Sequence, residues 1–240
     1  SLKDKAIITA TSYLIMGTTV NIIKNTAHVQ RPDLSSYKSF PSGHTTAAFT
    51  LFEDMGSEVT YLGRDFLKCC GHDQKWQGLD EVFEKLKSYN QKKLDESGID
   101  TLVTSCAECF KTFAMDYELE DMKVMHTTEY LIENGFDMNL QSEEDLTVTY
   151  HDPCRLGRQM NIYEEPRELV QAVEGVELVE MEHTKEDGLC CGVSSMMSCN
   201  ENSRTLRIQR FDEVKELLKK KKSNFFISIP FGKKKIYKNL

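Results

Sequence analysis

Eight cysteines carry the most distinctive chemistry of this chain, and all lie in its middle: Cys69, Cys70, Cys106, Cys109, Cys154, Cys190, Cys191 and Cys199. Thiolates are soft ligands that take iron–sulfur clusters, zinc or Cu(I) in preference to hard ions. Cys106-x-x-Cys109 has the spacing to direct two thiolates at one centre. Cys69–Cys70 and Cys190–Cys191 are adjacent and poorly suited to chelating one iron, yet they can reach two irons of a larger centre. That favours a multinuclear site, with mononuclear zinc as the alternative. Disulfide frameworks belong to short secreted chains and fit this sequence less well. Cys199 matches no spacing and reads as an incidental thiol. His72, His126, His151 and His183 read as structural or solvated. Of these, His151 precedes Asp152-Pro153-Cys154 and is the best placed to hydrogen-bond a cluster sulfur.

The cysteine spacing repeats. Cys-Cys-Gly stands at 69–71 and again at 190–192, an offset of 121 residues, and Cys70 to Cys106 and Cys154 to Cys190 each enclose 35 residues. The implied unit is Cys, 35 residues, Cys-Cys-Gly, 35 residues, Cys-x-x-Cys. Each half lacks one end: the first half's leading Cys is replaced by Asp33, and the second half's closing pair by Ile227 and Pro230. Gly71 and Gly192 are suited to a tight turn at positive φ.

Alternating strands and helices are expected to carry these residues. Glu58 to Leu62, Thr101 to Thr104, Lys123 to Met125, Leu146 to Tyr150 and Val176 to Val179 read as strands. Helices are expected from Leu79 to about Ser97, Cys109 to Tyr117, Thr127 to Asn134 and Pro166 to Val173. The fold class is therefore α/β, with two pseudo-repeated parallel βα units in the centre. Helices over about Asp4–Lys24 and His44–Met55 predict an all-helical amino-terminal fragment before them.

Composition agrees with a globular chain: 240 residues, 40% hydrophobic and 28% charged. Charge divides it. Residues 1–50 carry +3 and residues 219–240 carry +8, leaving −19 on residues 51–218 of a total of −8. An acidic centre argues against nucleic-acid binding there. The expected organisation is 1–50, 51–218 and a basic tail at 219–240, the tail being a disordered or replaced end. Residues 6–23 carry no charge but are diluted by Thr, Ser and Asn, so both a membrane span and a buried or interfacial helix fit them. The expected location is cytoplasmic, with membrane association through that stretch left open.

Residues of about 51–218 resemble the cysteine-rich (CCG) domain of heterodisulfide reductase subunits and of the iron–sulfur subunits of lactate and glycolate oxidation systems. The matching text is CCG at 69–71, CAEC at 106–109, HDPCRLGR at 151–158, EEPREL at 164–169 and LCCG at 189–192. The resemblance implies a 4Fe–4S-type iron–sulfur cofactor, noncubane in some members, and electron exchange with a disulfide, flavin or quinone. It also implies a redox partner subunit, a flavoprotein or ferredoxin-like. Cys69, Cys70, Cys106 and Cys109 form the more complete ligand set, and Cys154, Cys190 and Cys191 an incomplete second one.

The amino-terminal segment carries a separate signal. Lys24, Arg31-Pro32 and Pro41-Ser42-Gly43-His44 together suit phosphate, through cationic side chains, backbone N–H groups at a helix start and a proton-donating His. The simpler alternative is a loop into a helix with Ser42 as its cap. These residues resemble the first two motifs of the type-2 phosphatidic acid phosphatase family. That family's third motif is Ser-Arg, five residues, then the nucleophilic His; after Ser203-Arg204 the corresponding residue is Arg210. No catalytic residue is assigned, and phosphatase turnover is not expected. The leading expectation is an iron–sulfur electron-transfer domain of an oxidoreductase; a phosphate-binding fragment without its nucleophile, or a non-functional chimera, is the alternative.

Overall fold

The chain divides into two compact units, Ser1–Leu62 and Gly63–Leu240. The computed structural model describes residues 56–60, 62, 66–135, 141–192, 201–221 and 225–228. The expected amino-terminal helices therefore lie outside the described residues, as do Lys24, Arg31, Ser42, Gly43, His44 and Cys199. In the first unit the expected strand at Glu58–Leu62 is not formed: residues 58–60 and 62 are irregular chain. Its residues favour β structure, but a strand exists only where a ladder partner takes up its backbone groups.

The second unit is α/β and its strands pair in parallel, as the alternation predicts. Helix α1 covers His72–Trp76 and α2 covers Asp80–Ser97. The face of α2 that turns inward is Phe83, Asn90 and Leu94, and Gly98 in the left-handed region (φ 68°) ends the helix. Strand β1 (Thr101–Thr104) runs beside β2 (Lys123–His126), with Leu102 opposite Val124 and Thr104 opposite His126. Between them lies α3 (Ala107–Asp116), with Cys106 as its N-cap. After β2, α4 (Thr127–Glu133) opens with a capping box: His126 Nδ1 accepts the Thr128 N–H, and Glu129 accepts the His126 N–H at 2.8 Å.

The second sheet has the order β4-β3-β5. Strand β3 covers Gln141–Tyr150, longer than the expected Leu146–Tyr150, and β4 covers Glu174–Leu178. Short helices α5 (Gly157–Met160) and α6 (Glu164–Gln171) connect them. Helix α7 (Glu201–Lys221) leads to β5 (Phe225–Ser228). Within the stretch read as a disordered or replaced end, Phe225–Ser228 forms a strand in register beside Thr147–Tyr150. The side of β3 away from β4 carries backbone groups that an extended segment can satisfy, and β5 takes that place.

The architecture repeats with the cysteines. Helices α2 (Asp80–Ser97) and α7 (Glu201–Lys221) each lie downstream of a Cys-Cys-Gly triplet. Gly71 (φ +83°) and Gly192 (φ +65°) both hold the left-handed turn expected of them. Each glycine is also pressed by a later helix, Gly71 by α2 and Gly192 by α7. A Cβ on Gly71 would stand 2.7 Å from the Phe83 ring, and one on Gly192 would collide with the Ser203 carbonyl oxygen. Phe110 of α3 packs with Leu156 and Ile162, which flank α5, so one apolar cluster joins the segments that follow Cys106 and Cys154.

Candidate metal centre

Cys106 and Cys109 reach the site because β1 ends at Thr104 and α3 begins at Ala107, so the Cys-x-x-Cys segment occupies a strand-to-helix turn. Cys69 and Cys70 come from the turn before α1. The thiols of Cys70, Cys106 and Cys109 lie close enough to shift one another's protonation, Cys109 acting on both others. Cys106 is lowered to about 6, first by the hydrogen bond from Cys109 and then by the backbone N–H groups of Cys109 and Glu108. Cys70 is likewise lowered, first by Cys109 and then, against burial, by the His72 N–H. Cys109 is pushed up because it keeps the shared proton between those two sulfurs. Burial raises Cys69, opposed by a hydrogen bond from the Gly71 N–H. All seven described cysteines are free thiols; Cys70 is buried and Cys69 is exposed.

Two residues hold the Cys69–Cys70 turn in place. Asn90, fully buried on α2, accepts the Lys68 N–H at 2.8 Å and donates to the Cys69 carbonyl at 3.0 Å and to Tyr117 Oη at 3.1 Å. Tyr117 donates onward to the Cys70 carbonyl at 3.0 Å, and burial lifts its hydroxyl to about 12. Neither residue stood out in the sequence. Asn90 occupies an apolar-stripe position on α2, and a polar residue there was the available signal.

The second half is organised by arginines. Arg167, in the EEPREL segment, donates to Asp152 Oδ1 at 2.7 Å and Oδ2 at 2.9 Å, to Glu180 Oε1 at 2.6 Å and to Thr184 Oγ1 at 2.8 Å. Burial pushes the Asp152 carboxyl up, but the Arg167 hydrogen bonds and the Lys185 N–H outweigh it and hold it below its ordinary value. Arg158 donates to the carbonyls of Glu186, at 2.8 Å, and Gly188. Together they tie the Cys154 turn to the loop that leads into Cys190. His151 is buried, and its Nδ1 accepts from Arg210 Nε at 3.0 Å. A guanidinium only donates, so the ring proton sits on Nε2. Burial, aided by the Arg210 charge, lowers His151 to about 4.

The two Cys-Cys-Gly turns share a local geometry, since the Gly192 N–H lies 3.4 Å from Cys190 Sγ as the Gly71 N–H bonds Cys69. Their thiols differ in setting: Cys154 and Cys190 are exposed and Cys191 half-buried. The halves also touch. The Arg155 guanidinium carbon lies 3.8 Å from the centre of the Trp76 ring. Nearby, His72 Nδ1 is 3.2 Å from Thr112 Oγ1, and its Nε2 is 4.0 Å from Glu108.

Among the described residues no three His, Cys, Asp or Glu side chains converge on a single metal ion. Thiols that hold a cluster sit around several irons rather than one point, so this geometry bears on mononuclear zinc and not on a cluster. The thiols of Cys69, Cys70, Cys106 and Cys109 suit a thiolate-held cluster in chemistry and, being four, in donor number. Among the described residues no helix is long and apolar enough to cross a membrane.

One family model, the cysteine-rich CCG domain, matches the chain twice, at residues 37–114 and 148–224. The first match takes in Ser42, Gly43 and His44. An iron–sulfur protein of uncharacterized role from Methanococcus maripaludis is 33% identical over 156 residues, 65% of this chain and 28% of that protein. A component of the dihydromethanophenazine:CoB–CoM heterodisulfide reductase of Methanosarcina acetivorans is 29% identical over 212 residues, 84% of this chain and 51% of its own length. The EtfAB:quinone oxidoreductase of Syntrophomonas wolfei is 30% identical over 150 residues, 61% of this chain and 21% of its length. The chain thus spans about half or less of these relatives. No solved structure matches it.

Proposed function

The chain belongs to the cysteine-rich CCG domain family, and from that premise we propose that it is an iron–sulfur-binding, electron-transfer domain of a multi-subunit oxidoreductase. The cofactor is an iron–sulfur cluster, held by the thiolates of Cys69, Cys70, Cys106 and Cys109. The observation that carries this assignment is the proximity of Cys70, Cys106 and Cys109, whose thiols perturb one another's protonation. When bound, a 4Fe–4S-type centre supplies one-electron chemistry.

The protein's own residues prepare the place for it. Asn90 and Tyr117 fix the backbone of the Cys69–Cys70 turn, so that two adjacent thiolates are presented without further ordering. The first turn of α3 adds N–H donors and the positive end of its dipole beside an anionic ligand set. Cys69 is the exposed member and marks the side on which a redox partner subunit, a flavoprotein or a ferredoxin-like protein, makes its approach. Cys154, Cys190 and Cys191 form an incomplete set: Ile227, within β5, and Pro230 stand where the closing Cys-x-x-Cys would be.

Lys24, Arg31, Ser42, Gly43 and His44 are assigned no turnover. Arg210, at the position of the phosphatase family's nucleophilic His, is engaged with His151 and with Glu213 at 2.6 Å.

Anaerobic purification with iron and acid-labile sulfide analysis, alongside the visible spectrum, tests the assignment. Iron and sulfide in near-equal amounts, lost in Cys106→Ser, are expected. A colourless, metal-free protein after reconstitution refutes it.

A further inference from the structure

Arg155 belongs to one half of the repeat and rests on the other. It directly follows Cys154, yet its guanidinium carbon lies 3.8 Å from the centre of the Trp76 ring, a stacking distance. Trp76 ends α1, the helix that leaves the Cys69-Cys70-Gly71 turn, and its ring centroid is 6.0 Å from that of His72. His72 Nε2 in turn stands 4.0 Å from Glu108, which lies within Cys106-x-x-Cys109. The stack therefore hangs a positive charge beside both elements that carry the first cysteine set. Among the described residues no carboxylate lies within ion-pair distance of Arg155, although Glu108 is near enough to feel its charge, and the residue is half-buried.

We propose that Arg155 is the counter-charge of the first-half cluster, supplied across the repeat by the second half, and that its stack on Trp76 raises the cluster's reduction potential. The inference rests on the reading of Cys69, Cys70, Cys106 and Cys109 as ligands. Adding an electron deepens the negative charge of a thiolate-held cluster, so a nearby cation stabilises the reduced form more than the oxidised one. Stacking on indole holds the planar guanidinium in a place that an unanchored side chain would leave for solvent. Partial burial weakens the screening of its charge by salt.

The test compares the full chain, reconstituted anaerobically with iron and sulfide, as wild type, Arg155→Gln, Arg155→Lys and Trp76→Leu. Iron and sulfide content, circular dichroism and a potentiometric titration followed by EPR are recorded for each. Arg155→Gln is expected to keep its cluster and fold while its midpoint moves to a more negative potential. Arg155→Lys, which retains the charge, returns most of that shift, and Trp76→Leu falls between Arg155→Gln and wild type. An unchanged midpoint in Arg155→Gln with full iron and sulfide overturns the role of Arg155 and leaves the ligand assignment standing. Loss of the cluster in Arg155→Gln makes the residue a folding or assembly element and overturns the proposal as well. Wild type that takes up neither iron nor sulfide overturns both readings.

Discussion

Arg167 grips both carboxylate oxygens of Asp152, with Nη1 2.7 Å from Oδ1 and Nη2 2.9 Å from Oδ2. The pair fastens the turn before Cys154 to α6, and both partners are buried, at 4% and 6% exposure. Asp152 also accepts the Lys185 N–H at 2.8 Å, which draws in the loop toward Cys190. Two of the motif segments, HDPC and EEPREL, are thus one structural joint.

Breaking that joint from one side leaves a buried charge alone. Arg167→Met is expected to lower unfolding stability by about 3–5 kcal/mol, the usual cost of orphaning one member of a buried ion pair. Urea unfolding at neutral pH measures it. A loss within the range of an exposed pair, under about 1 kcal/mol, would show that water reaches Asp152 in the folded protein.

The two turn glycines should respond unequally to alanine. Both sit at positive φ, so each substitution carries backbone strain of about 1 kcal/mol or more. At Gly71 the new methyl meets the Phe83 ring, a side chain that can swing aside. At Gly192 it meets the backbone carbonyl of Ser203, which moves only with α7. Gly192→Ala is therefore the more destabilising of the two in thermal or urea unfolding, and equal losses would contradict this packing.

Acid should weaken the metal-free fold through His151. Its ring titrates near 4 in the folded protein against an ordinary 6.5, because burial and the Arg210 charge oppose protonation. Asp152, Glu213 and Arg158 also face the ring, and the net result is a neutral imidazole. Between those two values the unfolded chain takes up a proton that the folded chain refuses. The stabilisation is complete above pH 6.5 and is lost as the pH falls toward 4, about 3 kcal/mol in full. Unfolding free energies measured from pH 7 to 4 should fall more steeply for wild type than for His151→Gln; parallel profiles would exclude His151 as the source.

Metal content should separate the two cysteine sets. Cys106→Ser and Cys109→Ser are expected to lose most iron and sulfide, since each removes a thiol of the interacting group with Cys70. Cys154→Ser and Cys190→Ser, at exposed positions, should stay near wild type. The reverse order, read by iron and sulfide analysis of reconstituted protein, would move the centre to the second half.

Local pattern made the central βα units legible. Thr101–Thr104 and Lys123–His126 are short runs bounded by helical spacing, and the structure pairs them in parallel. The Cys-Cys-Gly offset announced the duplication that the two family matches repeat. What escaped depends on contacts distant in sequence. Arg210 meets His151 across 59 positions and Tyr117 meets Cys70 across 47, separations at which periodicity carries no information. Helix α7 was hidden for another reason: its inward residues include Ser203 and Arg210 beside Val214, so it lacks the apolar stripe by which helices are recognised. The strand expected at Glu58–Leu62 erred the other way, since favourable residues do not supply a partner.

Strand β5 joins the sheet through main-chain bonds, a currency that every amino acid except proline carries in full. The margin of β3 can therefore accept an extended segment with little regard to its side chains, in the way that sheet edges capture added strands. A segment at this position keeps its place beside β3 without a cysteine in it. Architecture and metal-holding capacity are thus separable traits in this half of the duplication, and the first can outlast the second.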